Sequence, residues 1–283
     1  MQLRCAGRVL DLTRPAVMGV LNVTPDSFSD GGRYLDPQAA LAHAERMAAE
    51  GATIIDIGGE STRPGATAVG NIEQLRRVLP VIERVAARLP VLISVDTSDP
   101  QVIQRATDAG AHMINDVRAL RVPGALQAAA ASNLAVCLMH MRGEPPDMQL
   151  DPQYGDVLAE VAAYLRARVQ ACIDAGIAHA RLCIDPGFGF GKLLAHNLQL
   201  LRRLQEFEPL GLPLAVGLSR KSMVSALSGR EAGHAQEQAR LAGSLALVTI
   251  AVLHGAHIVR AHDVAATVDA VRIASAVRTG ELQ

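Results

Sequence analysis

Three side chains with hydrogen-bonding power stand where apolar runs stop: Asp96 in VLISVDTS, Asn115 in HMINDV and Asp185 in RLCIDPG. A carboxylate at the end of a buried run is desolvated unless paired N–H donors meet it. One such Asp alone reads equally well as the cap of a neighbouring loop; the three together predict a shared binding edge. Cations follow further along. GLSRKSM (217–223) brings Arg220 and Lys221 to another such end and opens a helix near Ser222, and helix N-termini attract anions. In VRAHD (259–263), Arg260 and His262 alternate with an apolar neighbour and so point the same way. Lys221, Arg260 and His262 predict a polyanion site beside the carboxylates, the alternative being solvated surface charge.

The segments NVTPDSFSDGG (22–32) and GGESTRPGA (58–66) are rich in Gly, Ser and Pro and long for strand-to-helix connections, which usually run about 2–6 residues. Loops of this kind fold over a substrate, and Phe28 is otherwise an exposed aromatic in a chain with four Phe. DPGFGFGK (185–192) is no phosphate loop: Leu193 follows the Lys where Ser or Thr is needed. Its glycines are expected to bring backbone close to a flat ligand, with Phe190 at the edge. His112, His140, His179, His254 and His257 show no zinc-type spacing and read mostly as structural histidines. A Mg²⁺ carried in by a polyphosphate and touched by one side-chain carbonyl, such as that of Asn22, fits better.

These residues need a scaffold that points them at one place. A unit recurs in which a helical pattern ends at Gly and a short apolar run ends at a polar residue: EGATIIDIGG (50–59), AGAHMINDV (109–117), AGIAHARLCIDPG (175–187) and HGAHIVRAHD (254–263). Gly supplies a left-handed helix C-cap and the β-branched run a buried strand. Runs at 17–23, 91–95, 134–139 and 214–218 complete eight strands, with polar ends at Asn22, Asp56, Asp96, Asn115, His140, Asp185, Ser219 and His262. Even spacing of about 34 residues, the size of a βαβ unit, predicts a closed (β/α)₈ barrel with all eight ends on one mouth. The 154–173 pattern predicts a helix whose apolar face is Tyr154, Val157, Leu158, Val161, Leu165, Val169, Cys172 and Ile173. Pro80 is expected to split the helical stretch 72–89 in two. Residues 1–12 alternate weakly around Gly7, which suggests a small hairpin closing the far end.

Composition agrees with one barrel over residues 1–283: 49% hydrophobic, 2% aromatic and no Trp. A net charge of -1 offers no field for nucleic acid or an anionic membrane, so small molecules are the expected partners. Cys5, Cys137, Cys172 and Cys183 form no CxxC pair, and the charged first fifteen residues leave no room for a signal peptide, so the cytoplasm is expected. The apolar run 241–253 is too short to span a bilayer and predicts a buried or interfacial helix.

The ordered segments LNVTPDSFSDGG, DIGGESTRPGA, ISVDTS, INDV, CLMHM, DPGFGFGK, GLSRKS and GAHIVRAHDV resemble the dihydropteroate synthase family over nearly the whole chain. The resemblance implies condensation of 6-hydroxymethyl-7,8-dihydropterin diphosphate with 4-aminobenzoate, through early loss of pyrophosphate. It implies pterin binding by Asp96, Asn115, Met139, Asp185, Phe190, Gly217, Lys221 and Arg260, with Asp96 and Lys221 catalytic. Asn22, Thr62, Arg260 and His262 are then the diphosphate residues, with Asn22 on Mg²⁺. Ser27, Phe28, Thr62, Pro64, Phe190 and Ser222 shape the aminobenzoate pocket, and a homodimer through outer helices is expected. Two other readings share the pterin carboxylates: a barrel transferring a methyl group from a folate to a corrinoid, which needs neither anion site nor long loops, and a non-catalytic pterin binder.

Overall fold

The computed structural model describes residues 1–24, 36–60, 69–145, 147–228 and 236–280. The chain opens with an antiparallel hairpin, β1 (Gln2–Cys5) and β2 (Arg8–Asp11). Eight parallel strands follow: β3 (Ala16–Asn22), β4 (Ile54–Gly58), β5 (Leu92–Asp96), β6 (Met113–Asp116), β7 (Ala135–Met139), β8 (Leu182–Asp185), β9 (Ala215–Gly217) and β10 (Ile258–Ala261). Their order is β8-β7-β6-β5-β4-β3-β10-β9. The two ends of that row meet, because Ile184 bridges Leu214 and its N–H donates to the Pro213 carbonyl at 2.9 Å. The barrel is closed, as the spacing predicts.

Between the strands run α1 (Pro37–Ala49), α2 (Asn71–Arg88), α3 (Pro100–Asp108), α4 (Ala125–Ala131), α5 (Val157–Asp174), α6 (Leu194–Arg202), α7 (Ser222–Ser228), α8 (Gln236–Leu253) and α9 (Val264–Thr279). The glycines expected to end helices do so: Gly51, Gly110, Gly176 and Gly255 all have positive φ, between 90° and 102°. Strand residues of one parity face outward and make the main core with the helices, among them Ile55, Ile93, Ile114, Val136, Ile184 and Val259. The other parity fills the barrel. Its lower layers are apolar, with Met18, Ile54, Leu92, Met113, Ala135, Cys137, Cys183, Ala215 and Ile258, and the hairpin seals them with Leu3, Cys5 and Leu10. Its upper layer is polar.

Three expectations need correction. β4 continues past Asp56 to Gly58, so Asp56 lies inside the barrel and not at a strand end. Residues 71–88 form one helix through Pro80. Val78 on one side and Val81, Ile82 and Val85 on the other are buried, which holds the two halves in line. In the 154–173 pattern Tyr154 precedes α5 and Ile173 is exposed; the other six form its buried face.

Candidate active site

At the strand C-termini a cavity is lined by Asp96, Asn115, Val117, Met139, Asp185, Phe188, Phe190, Gly217, Lys221 and Arg260. Six neighbouring elements supply these residues, since β5, β6, β7, β8, β9 and β10 each end on the same rim. Eight of the ten were singled out from sequence. Val117 and Phe188 were not: Val117 follows Asp116 with no polar signal, and Phe188 is 1% exposed and reads as plain core.

The cavity is electrostatically divided. Arg260 reaches across β3 and donates from Nε to Asp56 Oδ2 at 2.7 Å and from Nη2 to Asp96 Oδ2 at 2.9 Å. Burial raises the Asp96 carboxyl to about 7, against the pull of the Arg260 guanidinium and with the push of Asp56. Asp185 is also raised by burial, opposed by the Gly187 N–H, which donates to its Oδ1 at 2.7 Å, and by Lys221. The Lys221 ammonium stands 4.2 Å from the centre of the Phe190 ring. Desolvation lowers it to about 8, with Asp185 pulling the other way. The site therefore holds one carboxyl and one amine, Asp96 and Lys221, that are both moved toward neutral pH.

The DPGFGFGK loop does something other than expected. A Cβ on Gly187 would fall 1.9 Å from the His140 carbonyl oxygen, and one on Gly191 would fall 2.1 Å from that of Arg142. These glycines let the loop pass against residues 140–142 of the chain itself. Lys192 then fastens it: its buried Nζ donates to the carbonyls of Gly187 at 2.9 Å and Phe190 at 3.0 Å, and meets His140 Nδ1 at 2.9 Å. Asn197 adds an acceptor for the Gly189 N–H at 2.8 Å. Phe190 is thus held at the cavity by a braced loop. His140 belongs to that brace, whereas Met139 beside it lines the cavity.

The remaining predicted residues divide. Half-buried Asn22 ends β3, level in register with Gly58 and hence one strand away from Asp96. His262 follows β10, with its N–H and Nδ1 each 3.2 Å from Ser219 Oγ. Ser222 is exposed at the start of α7. Arg220, expected at the mouth, is turned aside into a two-point pair with Asp263 at 2.6 and 3.1 Å. Ser27, Phe28, Thr62 and Pro64, and with them most of both long loops, lie outside the described residues. The structural histidines are as expected: His112 Nδ1 accepts the Ile93 N–H and His257 Nδ1 the Leu214 N–H. Asp56, named from sequence only as a strand end, has a role that sequence reading missed: it is fully buried and bound to both Arg260 and Asn115. Its signal was the pair of positions Asp56 and Gly58, of one parity in an apolar strand.

Among the described residues no group of three or more His, Cys, Asp or Glu is placed to hold a metal. A magnesium ion that brought its other ligands with it would need less than such a group, and half-buried Asn22 has a side-chain amide oxygen at the end of β3. Hard oxygen donors of this kind suit a magnesium ion that brings its other ligands with it.

The family model described as pterin binding enzyme matches residues 18–262. The dihydropteroate synthase of Escherichia coli (strain K12) is 54% identical over 276 residues, covering 98% of this chain and 96% of that relative. Among solved structures, Yersinia pestis dihydropteroate synthase with a sulfonamide drug complex matches with a TM-score of 0.92 at 53% identity, covering 99% of this chain and 100% of that one. Xanthomonas albilineans dihydropteroate synthase in complex with 7,8-dihydropteroate matches with a TM-score of 0.85 at 47% identity, covering 98% of each chain.

Proposed function

The chain belongs to the pterin binding enzyme family, and from that premise we propose a division of labour among its rim residues. The activity is that of a dihydropteroate synthase: 6-hydroxymethyl-7,8-dihydropterin diphosphate and 4-aminobenzoate condense to 7,8-dihydropteroate and pyrophosphate. The observation that carries the residue assignment is the single cavity shared by Asp96, Asn115, Met139, Asp185, Phe190, Gly217, Lys221 and Arg260.

The pterin offers neutral N–H donors, and buried carboxylates at Asp96 and Asp185 have lone pairs to receive them. Met139, Phe190 and Gly217 line the ring, and the Arg260 guanidinium, anchored by two carboxylates, lies against it. Asn22, Thr62, His262 and Arg260 meet the diphosphate, and magnesium, when bound at Asn22, supplies charge neutralisation on the phosphate oxygens. The C–O bond breaks with its electron pair leaving on pyrophosphate. Asp96 stands against the positive charge left on the pterin methylene, Lys221 balances the leaving anion, and the aniline nitrogen attacks and gives up its proton to solvent water. No covalent nucleophile is required. Ser27, Phe28, Thr62, Pro64, Phe190 and Ser222 shape the aminobenzoate pocket. Two supports for assembly and location stand apart from the rim: exposed Ile250, Leu253, Ile273 and Val277 on the packed pair α8 and α9 favour a homodimer, and four buried free thiols favour the reducing cytoplasm. No helix among the described residues is long and apolar enough to cross a membrane.

Asp185→Asn tests the pterin assignment. It replaces an acceptor by an amide that turns a donor toward ligand donors, and pterin affinity should weaken by about 1–3 kcal/mol by calorimetry. Unchanged affinity would remove Asp185 from the role.

A further inference from the structure

Asp56 has no part in the roles above, yet it touches two of the residues that have one. Register sets it one inward layer below Gly58 on β4, level with Val20 on one side and Ser94 on the other. Fully buried, its Oδ2 accepts from Arg260 Nε at 2.7 Å and from Asn115 Nδ2 at 3.0 Å, and both donors line the cavity. Gly58, above it on the same strand, adds no side chain to the layer of Asp96; a Cβ there would stand 3.3 Å from the Asp96 Cβ.

A carboxylate paired with a guanidinium has lone pairs and no N–H to offer. Asn115 must therefore turn its amide nitrogen toward Asp56, which leaves Oδ1, unpaired among the described residues, as the end that serves the cavity. The geometry points to Asp56 as a positioning residue that sets the hydrogen-bond polarity of the pocket. It holds Asn115 as an acceptor, so that Asp96, Asn115 and Asp185 together offer acceptors to a ligand edge built of N–H donors. It also shares Arg260 with Asp96, which fixes the guanidinium at the mouth. Without the Asp56 carboxylate the Asn115 amide is free to rotate and to oppose an N–H with an N–H. This inference rests on the pterin reading of the cavity.

The test is steady-state kinetics of Asp56→Asn, read as a split between the two substrates. The KM for the pterin diphosphate should rise about tenfold or more, as expected for a buried polar mismatch. The KM for 4-aminobenzoate should change less than about threefold. In an Asn115→Ala background, where Arg260 keeps Asp96, the same substitution should add less than about threefold to the pterin KM, because coupled neighbours are not additive. If Asp56→Asn does not fold, Asp56→Glu keeps the charge opposite Arg260 while displacing the carboxylate by a methylene, and should raise the pterin KM selectively as well. Unchanged constants in a folded variant, an equal rise in both KM values, or an equal factor with and without the Asn115 side chain would overturn the role. Wild-type enzyme in the same assay separates the two claims. If it shows no aminobenzoate-dependent pyrophosphate release, the synthase reading fails; if it does and the variants match it, only the role of Asp56 fails.

Discussion

Asp96 and Lys221 decide what the rim can do at a given pH. Asp96 is raised by burial to about 7, and its negative form is the one that can face a developing cation. Lys221 is lowered to about 8, and its positive form is the one that can face a leaving anion. Falling pH removes the first charge and rising pH removes the second, so kcat/KM for the pterin substrate should decline below about pH 7 and again above about pH 8. A pH–rate profile checks this, and Asp96→Asn should lose most of its activity together with the acid limb. A profile flat from pH 6 to 9 would contradict the assignment. Sequence made Asp96, Asn115 and Asp185 legible because Asp96 and Asp185 end their strands and Asn115 stands one residue from the end of its own. Asp56 stayed hidden because its partner Arg260 is 204 positions away, and no local pattern announces that an arginine will reach across an intervening strand.

The elements were legible wherever punctuation is local. Four Gly caps and eight apolar runs mark the barrel because helix ends and buried strands impose their own chemistry within a few residues. α2 shows the opposite case. Pro80 argues locally for a break, but the buried line Val78, Val81, Ile82 and Val85 keeps the helix whole. That packing offsets a local cost, so Pro80→Ala should stabilise the protein by about 1–3 kcal/mol in denaturant unfolding without changing kcat, since α2 stands outside the rim. A loss of stability would mean that the ring of Pro80 packs more favourably than its missing N–H costs. The DPGFGFGK glycines were recognised as close-approach positions while their partner was mistaken, because what they approach, the 140–142 backbone, is set by tertiary structure.

The whole molecule separates stability from chemistry: apolar layers and a hairpin seal the lower barrel, and polar side chains crowd the upper rim. Its outside is equally uneven. Ile273 and Val277, 63% and 69% exposed and four residues apart, form an apolar strip on α9, which packs against α8 with its own exposed Ile250 and Leu253. If that strip is the dimer contact, Ile273→Glu with Val277→Glu should sediment as a monomer where the wild type sediments as a dimer; two equal sedimentation coefficients would place the contact elsewhere. The strip does not follow from the barrel pattern, because exposure depends on which helix faces find partners. The central claim is that this rim joins a pterin diphosphate to 4-aminobenzoate, and its most direct test is pyrophosphate release by the purified chain with magnesium and the dihydropterin diphosphate. Adding 4-aminobenzoate should raise release sharply, with one dihydropteroate formed per pyrophosphate; no rise on adding it would contradict the account.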